Sequence, residues 1–217
     1  MPFRDRVHAG QLLAQKLMDY ANREGVLVLA VPRGGVPVGF EVARALHAPL
    51  DVFVLRKLGV PWQEELGFGA VASGGVRVVE QKMIEVLGLT SEEIEAVVER
   101  EESELRRRER VYRDDRPVPN VEGKIVLLVD DGIATGSSML AAVAALRQLK
   151  PSKIVIAVPV AAASTTKRLR KIADEFVAVE APHAFYAVGQ FYGDFQPTTD
   201  EEVVDLLERA STARARA

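Results

Sequence analysis

The stretch Ile125-Val-Leu-Leu-Val-Asp-Asp-Gly-Ile-Ala-Thr-Gly-Ser-Ser-Met139 decides the reading of this chain. Residues 125–129 are an unbroken apolar run, the pattern of a strand buried on both faces of a parallel sheet. Asp130 and Asp131 end the run abruptly. Carboxylates at the carboxyl end of such a strand lie on the edge where open α/β sheets take ligands. Gly132, Ile133, Ala134, Thr135, Gly136, Ser137 and Ser138 then form a short loop, and a helix is expected from Met139 onward. Glycine lets the backbone turn tightly, so that consecutive amides face one anion. The following helix adds the positive end of its dipole, and Thr135, Ser137 and Ser138 add hydroxyl donors. The loop therefore suits a phosphate monoester. The ionised carboxylates only accept hydrogen bonds, so they suit a vicinal diol. Phosphate and diol side by side describe a ribose 5-phosphate. An ordinary strand-to-helix turn accounts less well for two adjacent acids at the end of a buried strand, which are costly without a partner. No Gly-x-x-x-x-Gly-Lys-Ser/Thr loop occurs, and no Gly-x-Gly-x-x-Gly follows a strand.

Working outward, residues 26–31 read as a second buried strand, followed by Pro32-Arg33-Gly34-Gly35 and a helix to about Leu46, with Pro37 near its first position. Gly34 and Gly35 allow close backbone approach to a ligand, and Arg33 offers a cation for phosphate. Residues 50–55 read as a third strand that ends in Arg56 and Lys57. Residues 59–75 hold five glycines with Pro61 and Trp62, a hinge-rich pattern. Residues 76–120 read as a helical insertion. It contains a short strand at 76–79, a short helix at 80–87, a capping box from Thr90 to Glu93 and a long helix to about Tyr112. That helix alternates Glu and Arg and is read as solvated and salt-bridged, with a dimer arm or lid support as the sharper option. The leading segment, 5–22, reads as an amphipathic helix with Val7, Leu12, Leu13, Leu17 and Tyr20 inward. Downstream, strands at 153–160 and 176–179 flank a basic helix from Ser164, and a closing helix spans 199–207 before a frayed Ala-Arg tail. Strands alternating with helices give an α/β class with a doubly wound, mostly parallel sheet.

The opening motif resembles the signature of type I phosphoribosyltransferases: an apolar strand, an acidic pair, then a small-residue loop with Thr-Gly. The resemblance covers residues 26–195 outside the insertion. It implies that Asp130 and Asp131 hold the ribose hydroxyls of phosphoribosyl pyrophosphate (PRPP), and that residues 132–138 hold its 5-phosphate. Arg33, Gly34 and Gly35 would bind pyrophosphate, in a loop that often carries an unusual cis peptide. Arg56 and Lys57 would face the leaving group, whose negative charge grows as its bond breaks. Asp130, Asp131, Arg56 and Lys57 are thus the expected catalytic set. Residues 180–197 look similar to the hood segment of the purine-salvage branch. They place Tyr186 before Val188 and Gly189, with Phe185, Phe191 and Tyr192 as further base-stacking candidates. Two departures stand out. Gly132 replaces an aliphatic residue, which predicts a looser loop, and no lysine in 158–163 matches the one that reads a purine's exocyclic oxygen.

The chain has 217 residues, net charge −3, no cysteine and three scattered histidines. That balance gives no basis for nonspecific nucleic-acid binding, a disulfide framework or a histidine metal site. No apolar run approaches a membrane span, and a cytoplasmic enzyme is the expectation. The resemblance implies PRPP and a small nitrogenous base as substrates, Mg²⁺ carried by PRPP with no protein ligands of its own, no nucleic acid polymer or membrane partner, and a homodimer. A non-catalytic PRPP or nucleotide sensor on the same fold is the alternative function.

Overall fold

The computed structural model describes residues 2–114 and 116–215. In chain order the elements are α1 Arg6–Lys16, β1 Val26–Ala30, α2 Gly35–Leu46, β2 Leu50–Val52, β3 Leu55–Val60, β4 Gln63–Ala72, β5 Val76–Val79, α3 Gln81–Leu87, α4 Ser91–Arg113, β6 Ile125–Val129, α5 Ser137–Gln148, β7 Lys153–Val160, α6 Ala163–Leu169, β8 Glu175–Glu180 and α7 Asp200–Ala215. The fold is α/β. Five strands pair in parallel in the order β2-β1-β6-β7-β8. Numbered within the sheet this is 2-1-3-4-5, so the strand order reverses between β1 and β6. That reversal is the topological switch point, where such sheets open a crevice at the strands' carboxyl ends.

Burial on both faces explains the apolar runs. Leu27, Leu29, Val126 and Leu128 point into a core shared with α5 and α6, while Val26, Val28, Leu127 and Val129 point into another shared with α1 and α2. With no face left to water, β1 and β6 have no place for an alternating polar residue.

The segment after β2 corrects the sequence reading. The strand expected over 50–55 stops at Val52, and Arg56 and Lys57 belong to β3. Ser73 causes the departure: its Oγ accepts the Val54 amide at 3.0 Å and its own amide donates to the Val54 carbonyl at 2.9 Å. The chain thereby leaves the parallel sheet for a separate antiparallel one, ordered β3-β4-β5. The stretch read as hinge-rich at 59–75 is mostly ladder. Its glycines serve close packing: a Cβ on Gly67 would lie 2.6 Å from Lys57 Cε, and one on Gly69 would collide with the Val78 carbonyl. Trp62 sits exposed at the hairpin tip.

Helix α4 forms the capping box read from Thr90 and Glu93. It is solvated on one face only, another correction. Val97, Val98, Leu105 and Tyr112 join a third core with β3, β4 and α7, because the antiparallel sheet must bury one face. Helix α1 departs in a smaller way. Val7 is exposed, and the buried face is Ala9, Gly10, Leu13 and Ala14, where a Cβ on Gly10 would lie 2.8 Å from the Val38 carbonyl of α2. Pro37 is the third residue of α2. Helix α7 continues past 207 to Ala215, and Arg216 and Ala217 lie outside the described residues. Among the described residues no helix is long and apolar enough to cross a membrane.

Candidate functional site

Three loops meet at the switch point. The first, residues 32–35, leaves β1 with a cis peptide bond between Pro32 and Arg33 and turns into α2 at Gly35. The second is the acidic pair that ends β6. They are in contact: a Cβ on Gly35 would lie 2.9 Å from both Asp130 Cα and the Val129 carbonyl, and one on Gly34 would overlap the Asp131 carboxylate. Sequence reasoning assigned these glycines to ligand approach. Their first duty in the fold is to let the arginine loop rest on the acids.

The pair is electrostatically costly. Asp130 accepts the Asp131 backbone amide on Oδ1 at 2.9 Å and, among the described residues, meets no cation directly. Burial, then the charge of Asp131, pushes its carboxyl well above the ordinary range. Burial also raises Asp131, opposed by Arg6. Arg6 Nε donates to Asp131 Oδ2 at 2.9 Å, and its Nη1 donates to the Gln196 carbonyl at 2.7 Å. A pair that resists full ionisation is receptive to hydroxyl donors, which stabilise the charged form.

The third loop, 132–138, has its carbonyls tied back. The Ile133 carbonyl accepts the Ala162 amide at 2.9 Å, the Ala134 carbonyl accepts the Thr165 hydroxyl at 2.7 Å, and the Thr135 carbonyl accepts Arg168 Nη2 at 2.6 Å. In a trans peptide the next residue's N–H points opposite to the carbonyl. The amides of Ala134, Thr135 and Gly136 therefore face away from α6, as an anion nest requires. Gly136 takes φ +77°, open to glycine at little cost, and α5 starts at Ser137 with its dipole behind the nest. The Ile133 amide is engaged by the Val160 carbonyl at 2.9 Å. Gly132 is tightly covered, because a Cβ there would lie 2.5 Å from Val188 Cγ1. Val188 of the hood fills the space that an aliphatic residue would take, so the loop is not loosened.

The hood, residues 181–197, is pinned by the N-terminal segment. The Phe3 amide donates to the Phe191 carbonyl at 3.1 Å, and the Gly193 amide donates to the Phe3 carbonyl at 2.8 Å. Phe185 and Phe191 meet as tilted rings with centroids 5.1 Å apart, partly buried against a small core that holds Phe3 and Tyr192. Tyr192 is buried and its hydroxyl donates to the Asp131 carbonyl. Tyr186 is 91% exposed, the hood aromatic most open to a planar ligand.

The remaining expected cations contact other elements. Arg33 is half exposed, with Nη1 3.9 Å from Asp200 Oδ1. Arg56 donates from Nε and Nη2 to Glu101 of α4 at 2.9 and 2.7 Å, and Lys57 lies across Gly67. Among the described residues no three His, Asp or Glu side chains converge as a metal site would need. Sequence reasoning missed Arg6, Thr165 and Arg168, and it read Tyr192 as a base-stacking candidate where the buried ring instead bonds the Asp131 carbonyl. One signal was legible for Arg6: Asp5 is a recognisable N-cap, and a cation in the first helical turn opposes the helix dipole.

Comparison with known proteins fits this geometry. A family model described as "Phosphoribosyl transferase domain" matches residues 6–196. Two Mycobacterium tuberculosis proteins, from strains CDC 1551 and H37Rv and provisionally named phosphoribosyl transferases, are 45% identical over 208 residues, which is 96% of this chain and 47% of each relative. The chain thus spans about half the length of the curated relatives it matches. The crystal structure of TT1426 from Thermus thermophilus superposes with TM-score 0.85 at 43% identity, covering 96% of this chain and 99% of that one. The AQ2163 protein of Aquifex aeolicus shares the fold at TM-score 0.50 and 14% identity, over 85% of this chain and 78% of its own.

Proposed function

The chain belongs to the phosphoribosyl transferase domain family, and from that premise we propose that it transfers ribose 5-phosphate from PRPP to a nitrogenous base and releases pyrophosphate. The observation that carries this reading is the meeting of three loops at one switch point: an acidic pair, a braced amide nest beside it and an arginine loop against it. In the proposed complex the amides of residues 134–136, the hydroxyls of Thr135, Ser137 and Ser138 and the start of α5 hold the 5-phosphate. Asp130 and Asp131 accept from the ribose hydroxyls. Their negative charge favours the positive character that grows at the anomeric carbon as its bond to pyrophosphate breaks. The pyrophosphate leaves with that bond's electron pair, toward Arg33 and the backbone of Gly34 and Gly35. Arg56 and Lys57 on β3 are proposed as further cations for it, Arg56 by exchanging Glu101. Mg²⁺ brought in by PRPP would neutralise part of the charge on its pyrophosphate. A ring nitrogen of the base, stacked on Tyr186 beneath the hood, forms the new bond. Holding both reactants in line supplies much of the acceleration. A second copy of the chain is the proposed protein partner, checked by sedimentation.

The test is pyrophosphate release from PRPP and Mg²⁺ across a panel of purines, pyrimidines and pyridine carboxylates. Release that depends on one class of base is expected. Absence of PRPP uptake overturns the reading, and uptake without transfer to any base replaces it with a sensor on the same fold.

A further inference from the structure

Arg6 comes from the first turn of α1, 125 positions from its partner, yet it is among the more enclosed charged side chains near the site, with 12% of its side chain exposed. It is held from three sides. Nε donates to Asp131 Oδ2 at 2.9 Å, Nη1 donates to the Gln196 carbonyl at 2.7 Å, and the guanidinium lies 3.9 Å from the centre of the Phe195 ring. The helix start that places it is fixed on both sides. Asp5 Oδ1 accepts the His8 amide at 2.7 Å, and Phe3 is bridged to Tyr192. A cation kept loose to catch a phosphate would be exposed and singly held. This one is locked, and lysine lacks the planar fork that reaches a carboxylate and a carbonyl at once.

We propose that Arg6 is a positioning residue for the ribose site, fixing the orientation and the charge of Asp131 and tying that carboxylate to the end of the hood. The proposal rests on the PRPP reading above. Asp131 Oδ2 is committed on one side to Arg6 and rests on Gly34 on another. Arg6 takes only Oδ2, which leaves the other carboxylate oxygen, Oδ1, for a ribose hydroxyl. The ionisable groups around Asp131 are few. Asp130 adjoins it in the chain, Arg6 faces it from α1, and Tyr192 donates its hydroxyl to the Asp131 carbonyl from the hood. The arginine loop presents the uncharged Gly34. Among the described residues Arg6 is thus the only cation opposing both the burial of the pair and its mutual repulsion. Because the same guanidinium holds the Gln196 carbonyl and stacks on Phe195, the charge of the acid and the seating of the hood are one arrangement.

The experiment has a ligand-free arm and a ligand arm. Carboxyl ¹³C resonances of aspartate-labelled protein are titrated in wild type, Arg6→Gln and Phe195→Leu, with Asp131→Asn to assign the signals. PRPP binding is then measured by calorimetry at one pH below and one pH above the midpoint that the titration gives. Arg6→Gln is expected to raise the pair's titration midpoint by about one unit or more. It is also expected to weaken PRPP by up to about tenfold below the shifted midpoint but less than about threefold above it, since the pair ionises again at the higher pH. Phe195→Leu removes the ring beneath the guanidinium, together with its contact to Tyr192, while keeping an apolar side chain in the hood; it shifts the midpoint the same way by less, which keeps the test alive if Arg6→Gln does not fold. An unmoved midpoint in both variants, or a loss of PRPP affinity equal at both pH values, overturns the proposal. A wild type that takes up no PRPP overturns the functional reading instead, while the ligand-free titration still decides what Arg6 does.

Discussion

Two clusters in this protein each set one guanidinium against two carboxylates, and they behave differently. In the cluster that closes α4, Arg113 reaches both acids, Asp51 through Nε and Glu109 through Nη1, each at 2.8 Å, and gives Nη2 to the Val52 carbonyl. At the switch point, Arg6 reaches only Asp131 and gives its other arm to a hood carbonyl, so Asp130 meets no cation among the described residues. The first cluster is complete and ties α4 to β2. The second is one bond short, and a pair of hydroxyl donors would complete it. Charge count does not separate a structural ion cluster from a binding site. The distribution of hydrogen bonds within it does.

Predictions that test this contrast run from large effects to small. Arg113→Ala removes a buried cation from two partly buried acids and should cost about 3–5 kcal/mol of stability, read by chemical denaturation, with PRPP affinity of the folded fraction unchanged. Asp131→Asn should do the reverse: little change in stability, and a loss of about 2–4 kcal/mol in transition-state stabilisation, read as kcat/KM for PRPP. An unchanged kcat/KM would remove the acid pair from the mechanism. Gly132→Val forces Val188 from its place over the loop and should destabilise by about 1–3 kcal/mol as an overpacked contact. Adding Val188→Ala should restore most of that in thermal melts, and no restoration would deny the hood-to-loop packing. Asp130→Asn carries the smallest effect and the opposite sign. The folded protein raises this carboxyl above its unfolded value. The folded state therefore holds more protons between the two values, and stability falls as pH rises through that window. Removing the charge should raise Tm at neutral pH, about 2–4 °C for each kcal/mol relieved, and flatten the decline of Tm with pH above the ordinary carboxylate range. A lowered Tm at neutral pH would contradict the electrostatic picture.

What could be read from the sequence follows from how local the physics is. The strand-acid-loop unit at 125–139 and the strand-loop unit at 26–35 are legible because a strand covered on both faces leaves a run of apolar residues, and because loop chemistry is written next to it. The capping box at Thr90 is equally local. The antiparallel sheet was hidden because its glycines read as hinges, while in the fold they make room for Lys57 and the Val78 carbonyl across the ladder. Arg6 was hidden by distance, since nothing near it in sequence announces Asp131. Gly132 read as a defect until Val188, 56 positions on, was seen to fill its place.

The sugar site is tested most directly by comparing ribose 5-phosphate with 2-deoxyribose 5-phosphate by calorimetry, in wild type and in Asp131→Asn. If the acids hold the diol beside the amide nest, the deoxy sugar binds wild type about tenfold more weakly, the worth of one good hydrogen bond to a charged group, and the difference shrinks in Asp131→Asn. Equal binding of the two sugars to wild type contradicts the assignment of Asp130 and Asp131 to the ribose hydroxyls.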